Sequence, residues 1–115
     1  MKKLINSFKY AIEGLINVTH DEKNLRIHFI IMTCVIISGL NVKLTTFEWI
    51  ICIILFGLVI SAETFNTALE KTLDYVNEDY DEKIKFIKDA SAGAVLSIAI
   101  TSAIIGLIIF LPKLL

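Results

Sequence analysis

The most constraining feature of this 115-residue chain is an uncharged apolar run near its C-terminus. The segment ASAGAVLSIAITSAIIGLIIFL, residues 90–111, contains no Asp, Glu, Lys or Arg. About 20 such residues in a helix cross the roughly 30 Å of hydrocarbon in a bilayer. Two further apolar runs precede it, and hydrophobic residues make up 56% of the chain. The sequence therefore predicts an all-α integral membrane protein.

We expect one membrane-embedded domain over residues 1–115, with an N-terminal surface helix over about 2–19 and spans over about 25–42, 47–76 and 86–111. The second span continues through polar residues without Pro or Gly, which predicts a long helix that leaves the membrane. Apolar residues recur at helical spacing in the N-terminal helix: Leu4, Ile5, Phe8, Ile12, Leu15 and Ile16. This spacing is typical of an amphipathic helix, which could lie in the membrane interface or pack on the protein's own bundle.

The Lys and Arg residues divide unevenly between the two sides of the three spans. Nine fall on the side of the N-terminus and the second loop: Lys2, Lys3, Lys9, Lys23, Arg26, Lys71, Lys83, Lys85 and Lys88. Lys43 and Lys113 fall on the other side. Because positive charge collects in cytoplasmic loops, we expect the N-terminus and the second loop to be cytoplasmic, where ATP is available.

Several common functions are excluded by composition and motif. A net charge of −1, with no basic cluster among aromatic residues, gives no surface for nucleic acid. Cys34, Cys52, His20 and His28 lack metal-binding spacing, so we expect no disulfide or zinc site and interpret both His residues as interfacial polar groups outside any site. No GxxxxGK[ST] or GxGxxG is present, which excludes a P-loop or Rossmann turn. The charged N-terminal segment lacks the apolar core of a signal peptide, so we expect it to be retained.

A polar stripe follows the second apolar run. Glu63, Asn66, Glu70 and Asp74 fall within about 80° of one helix face. Glu63 lies directly after ILFGLVISA, at the expected hydrocarbon boundary, where an ionised carboxylate is costly without a partner. This cost favours a functional role for Glu63, whereas Asp74 fits the solvated face of an exiting helix equally well.

Charged residues at the starts of the first and third spans lie on the same side of the membrane as this stripe. Glu22 and Arg26 form an (i, i+4) pair in the sequence, and Lys88 is followed by Asp89. Carboxylates together with Lys and Arg are the groups needed to hold Mg²⁺ and to neutralise a polyphosphate.

The segments FKYAIEGL, DEKNLRIH, ISAETFNTALEKTLDYV and KDASAGAV together resemble the bacterial diacylglycerol kinase and undecaprenol kinase family. The resemblance covers nearly the whole chain. It implies ATP-dependent phosphorylation of a membrane lipid alcohol in the bacterial inner (plasma) membrane. It also implies a homotrimer of three-helix subunits, with active sites where neighbouring subunits meet.

The same resemblance implies roles for individual residues. Glu63 is the expected catalytic base, which takes the proton of the lipid hydroxyl, and Asn66 is the expected catalytic partner that orients the site. Glu22 and Glu70 are the expected Mg²⁺ ligands. The residues implied in ATP binding are Tyr10, Glu22, Glu70, Asp79, Asp81, Lys88 and Asp89; those implied in lipid binding are Glu63, Arg26 and Ala92.

Two positions bear on the choice of lipid. Ala11 and Ala92 stand where diacylglycerol kinases typically carry Ser, and SAGAV resembles the Gram-positive undecaprenol kinases more closely. Undecaprenol is therefore the favoured substrate and diacylglycerol the alternative, since loss of two hydroxyls removes hydrogen-bond partners for a glycerol backbone. Two other classes stay open on the residues alone: a small oligomeric transporter that uses Glu63 for protons or cations, and a structural membrane subunit.

Overall fold

The computed structural model describes residues 1–76 and 81–115, which form four α-helices. The helices are α1 (Lys2–Asp21), α2 (Lys23–Val42), α3 (Thr46–Val76) and α4 (Glu82–Leu114). Helices α2, α3 and α4 are each long and apolar enough to cross a membrane. The expected all-helical fold with three candidate spans is confirmed.

Helices α3 and α4 are longer than a bilayer requires. They contain 31 and 33 residues, which at 1.5 Å per residue gives about 46 and 50 Å. The hydrocarbon core is only about 30 Å thick, so each helix has a polar extension beyond it. In the extension of α4, the Asp81 carboxylate caps the helix by accepting from the backbone N–H groups of Lys83 (2.7 Å) and Ile84 (3.4 Å).

A tight turn joins α2 to α3. Lys43 ends α2 in the left-handed conformation, with φ of 57°, and the Leu44 N–H donates to the Gly39 carbonyl at 3.1 Å. A Cβ at Gly39 would lie 2.8 Å from both Leu44 Cδ1 and the Trp49 ring, so glycine permits this close approach. Leu44 also packs in a small core cluster with Cys52 and Ile109.

A capping box starts α3. The Thr45 N–H donates to Glu48 Oε1 at 2.9 Å, and the Glu48 N–H donates to Thr45 Oγ1 at 3.2 Å. The Glu48 carboxylate also lies 3.1 Å from Lys113 Nζ near the end of α4. This ion pair joins the start of α3 to the end of α4, so the two helices run antiparallel. Their polar extensions therefore meet at the opposite end of the bundle.

Candidate active site

The polar stripe on α3 runs from a buried carboxylate to an exposed one. Glu63 is 4% exposed, and Asp74, near the end of the helix, has a side chain that is 60% exposed. Between them the Asn66 side-chain amide donates to Glu70 Oε1 at 3.3 Å. This bond fits the (i, i+4) spacing of the two residues, which places them one turn apart on one face.

The Glu63 carboxylate is close to a residue that sequence reasoning left outside the site. His28 Nε2 on α2 lies 3.5 Å from Glu63 Oε1, and the two side chains are 21% and 6% exposed. The interpretation of His28 as an interfacial polar residue missed this contact. One signal was available: a His inside an apolar span needs a polar partner for the same reason that Glu63 does.

The junction between α1 and α2 lies beside the same stripe. Asp21 Oδ2 is 3.8 Å from Lys71 Nζ, and these residues directly adjoin Glu22 and Glu70 in the sequence. Glu22 itself is the extended residue between the two helices, with φ of −108° and ψ of 112°. The fold therefore brings the elements that carry both expected metal ligands alongside one another.

The oxygen donors of this region fit the preferences of Mg²⁺. Asn66 Oδ1 is buried and has no hydrogen-bond partner within residues 1–76 and 81–115. Across the same residues no group of three His, Cys, Asp or Glu side chains could hold a metal ion alone. Mg²⁺ commonly uses only one or two protein carboxylates together with waters and substrate phosphates, which the expected pair Glu22 and Glu70 would match in number. The donor set therefore suits a metal that is shared with a nucleotide.

The start of α4 contacts the end of the stripe at Asp74. Lys88 Nζ lies 2.6 Å from Asp74 Oδ1, so a cation of α4 contacts the last acid of α3. The next residue, Asp89, pairs instead with Lys85 on its own helix. Asp81 serves as the α4 cap. Asp79 lies outside the described residues.

Arg26 does not pair with Glu22 as its spacing predicts. Its guanidinium donates to the backbone carbonyls of Thr19 (3.1 Å) and His20 at the end of α1. These last carbonyls have no partner within their own helix, and they lie at the negative end of its dipole, so a cation is favoured there. The (i, i+4) spacing of Glu22 and Arg26 therefore gives no ion pair among the described residues, because the extended backbone at Glu22 ends α1 next to Arg26.

The remaining expected residues lie at the surface of the chain. Tyr10 on α1 is 65% exposed, and Arg26 and Ala92 are also exposed. Within residues 1–76 and 81–115, no hydrogen bond or ion pair joins these three side chains to Glu63.

An apolar cavity of about 300 Å³ lies between α2, α3 and α4. His28, which contacts Glu63, is part of its wall. Other lining residues are Met32, Cys52, Val59, Ser102 and Gly106. Ser102 Oγ is buried there and has no hydrogen-bond partner among the described residues.

Comparisons with known proteins agree with the resemblance. Residues 9–110 match the family model described as "Prokaryotic diacylglycerol kinase". The chain is 40% identical to the undecaprenol kinase of Bacillus subtilis over 114 residues, which cover 99% of this chain and 93% of that protein. It is 36% identical to the diacylglycerol kinase of a Synechocystis species over 113 residues, which cover 97% of this chain and 65% of that protein. The chain therefore belongs to the prokaryotic diacylglycerol kinase family, and it is a multi-pass membrane lipid kinase.

Proposed function

We propose that this kinase transfers the γ-phosphate of ATP to undecaprenol, producing undecaprenyl phosphate, with Glu63 as the general base. The observation that carries the proposal is the position of Glu63. It is a carboxylate that is 4% exposed in a membrane helix, at the head of a stripe whose other end contacts Lys88. A buried base next to a path of charged groups suits a reaction between a lipid and a water-soluble nucleotide.

The reaction needs little covalent chemistry from the protein. The lipid hydroxyl oxygen attacks the γ-phosphorus in line, the bond to the β-γ bridging oxygen breaks, and Glu63 accepts the hydroxyl proton. Phosphoryl transfer passes through a loose transition state, so alignment and charge neutralisation are the main tasks of the enzyme. Asn66 is the orienting residue. Its side chain lies about one helical turn after Glu63 and is held in place by its hydrogen bond to Glu70.

Glu22 and Glu70 would hold Mg²⁺, which neutralises charge on the ATP phosphates when it is bound. Lys88 and Asp89 are assigned to the phosphate end of the nucleotide. Tyr10 and the acidic turn, with Asp79 and Asp81, are assigned to the rest of ATP. Lys88 is suited to its role because an ammonium that neutralises Asp74 in the free protein can turn to a phosphate oxygen.

We further propose that the enzyme is a homotrimer in the bacterial inner (plasma) membrane, with its active site on the cytoplasmic side. Shared sites between subunits would account for Tyr10, Arg26 and Ala92, which are exposed within one chain. Helix α1 is proposed to lie in the interface, because none of its residues is buried and its apolar row is exposed. The excess of Lys and Arg near α1 and the second loop favours the cytoplasmic orientation.

Undecaprenol is proposed over diacylglycerol on the combination of Ala92 with the 40% identity to an undecaprenol kinase. Ala92 is assigned with Arg26 and Glu63 to the lipid site. A methyl group at position 92 offers no hydrogen bond to a glycerol backbone, whereas a polyprenol has one hydroxyl and a long apolar tail.

A side-by-side assay tests this choice of lipid. The purified protein, in lipid or mild detergent, is given Mg·ATP labelled at the γ-phosphate with undecaprenol and diacylglycerol in separate reactions. We expect stronger labelling of undecaprenol. Ala92→Ser is expected to shift the ratio towards diacylglycerol, and Ala94→Ser, on the same helix, is the matched control. A wild-type preference for diacylglycerol would reverse the assignment of substrate.

A further inference from the structure

Among the described residues, His28 is the side chain outside α3 that lies at ion-pair distance from Glu63. Its Nε2 is 3.5 Å from Glu63 Oε1, and the two residues come from different helices. Within residues 1–76 and 81–115 His28 has no other ion-pair partner. The rest of its surroundings include the apolar cavity, lined there by Ile31, Met32 and Val59.

A His side chain at this position in an apolar span is energetically costly unless it has a polar partner. In an apolar span, a polar side chain faces the bundle interior and pairs with another polar group. His28 does both, since its side chain is 21% exposed and its ring nitrogen is directed towards a carboxylate that is more buried still. An apolar residue would fill the cavity wall equally well, so packing alone does not explain His28.

The atoms in contact suggest what the pair does. A carboxylate has two oxygens, and contact of His28 with Oε1 leaves Oε2 for the proton of the lipid hydroxyl. A base held by a second group in this way is the arrangement that orients catalytic bases generally. The 3.5 Å separation is longer than a strong hydrogen bond, but such contacts tighten when substrate binds.

We infer that His28 is a positioning residue for Glu63: its Nε2–H holds Oε1 and thereby directs Oε2 at the lipid hydroxyl. The inference rests on the proposed role of Glu63 as the base. The proton itself still passes from the lipid hydroxyl to Glu63. His28 fixes the carboxylate in a rotamer from which it can accept that proton.

Three substitutions separate hydrogen bonding from packing. His28→Gln keeps a side-chain N–H near the position of Nε2, His28→Asn keeps an amide that is one methylene shorter, and His28→Met keeps volume without a donor. We expect kcat for lipid phosphorylation to fall about tenfold or more in His28→Met and His28→Asn, consistent with a mispositioned base. The KM for ATP should change by less than about twofold, because His28 contacts Glu63 and is not among the residues assigned to bind ATP.

His28→Gln is expected to recover most of the lost kcat, which a purely structural role would not predict. His20→Gln, at an exposed His near the end of α1, is the matched control and should retain full activity. Oligomer size and thermal unfolding in detergent are measured for each variant. If His28→Met does not fold, the comparison of His28→Gln with His28→Asn still tests the position of the donor.

Combining the His28 substitutions with Glu63→Gln separates the role inferred for His28 from the proposed role of Glu63 as the base. When Glu63→Gln has already removed the base, His28→Met should reduce the residual rate little further, because residues that act as a unit are not additive. Full kcat in folded His28→Met, or equal kcat in His28→Gln and His28→Asn, would overturn the inference while Glu63→Gln stays inactive. An active Glu63→Gln would overturn the role of Glu63 itself.

Discussion

Removal of the Lys88 ammonium should affect ATP use far more than stability. Lys88 Nζ is 2.6 Å from Asp74 Oδ1, yet the two side chains are 36% and 60% exposed. Exposed ion pairs contribute roughly 0.2–1 kcal/mol because water screens them and ordering two long side chains costs entropy. Lys88→Met should therefore lower the unfolding free energy by no more than about 1 kcal/mol.

The cost for catalysis is expected to be larger. A hydrogen bond to a charged group is worth about 1.5–3 kcal/mol, and each 1.36 kcal/mol corresponds to a factor of ten in rate. If Lys88 contacts the phosphates, Lys88→Met should lower kcat/KM for ATP by about 10- to 150-fold. Asp74→Asn breaks the same surface pair but leaves the ammonium, so its effect should be about threefold or less.

The assay is steady-state lipid phosphorylation with ATP varied at saturating undecaprenol. Thermal unfolding is measured in the same detergent. Lys83→Met is the matched control, since Lys83 is an exposed Lys on the same helix. A kcat/KM for ATP in Lys88→Met that equals the wild-type value, or equals that of Asp74→Asn, would refute the assignment of Lys88 to the phosphates.

Two further variants test the fold and the metal. Gly39→Ala would place a Cβ 2.8 Å from Leu44 and Trp49. The cost of overpacking, about 1–3 kcal/mol, should outweigh the roughly 1 kcal/mol by which Ala stabilises a helix relative to Gly. The midpoint of thermal unfolding should therefore fall, while activity per folded molecule is retained. An unchanged midpoint would contradict this tight approach. Glu70→Gln should raise the Mg²⁺ concentration for half-maximal activity about tenfold or more, by loss of a carboxylate ligand. A Mg²⁺ titration equal to that of Glu82→Gln, an exposed control, would contradict the role of Glu70.

Much of the local structure could be predicted because it depends on neighbours in the sequence. The uncharged run at 90–111 identifies α4, and the T-x-x-E pattern at Thr45 explains the start of α3. The bond between Asn66 and Glu70 follows from their separation by one helical turn. Each of these features depends on a spacing that the sequence displays directly.

Contacts between helices were harder to predict. The pairing of His28 with Glu63 joins residues 35 positions apart, and spacing within one helix cannot show which face of α2 meets α3. The contacts of Arg26 were hard to predict for a related reason, because its partners are backbone carbonyls left without a helical partner where α1 ends at Asp21. The proposed cytoplasmic orientation, by contrast, depends only on the number of Lys and Arg residues on each side of the spans. The proposed trimer depends on contacts between chains, which no helical spacing encodes.

The most direct test of the account compares wild-type protein with Glu63→Gln in the transfer of labelled γ-phosphate from Mg·ATP to undecaprenol. Glu13→Gln, the same change at an exposed residue of α1, is the control. We expect Glu63→Gln to lower kcat by about 10²- to 10⁴-fold, the range for loss of general-base catalysis, with oligomer size unchanged and the Glu13→Gln rate near wild type. A folded Glu63→Gln enzyme that labels undecaprenol at the wild-type rate would contradict the assignment of Glu63 as the base.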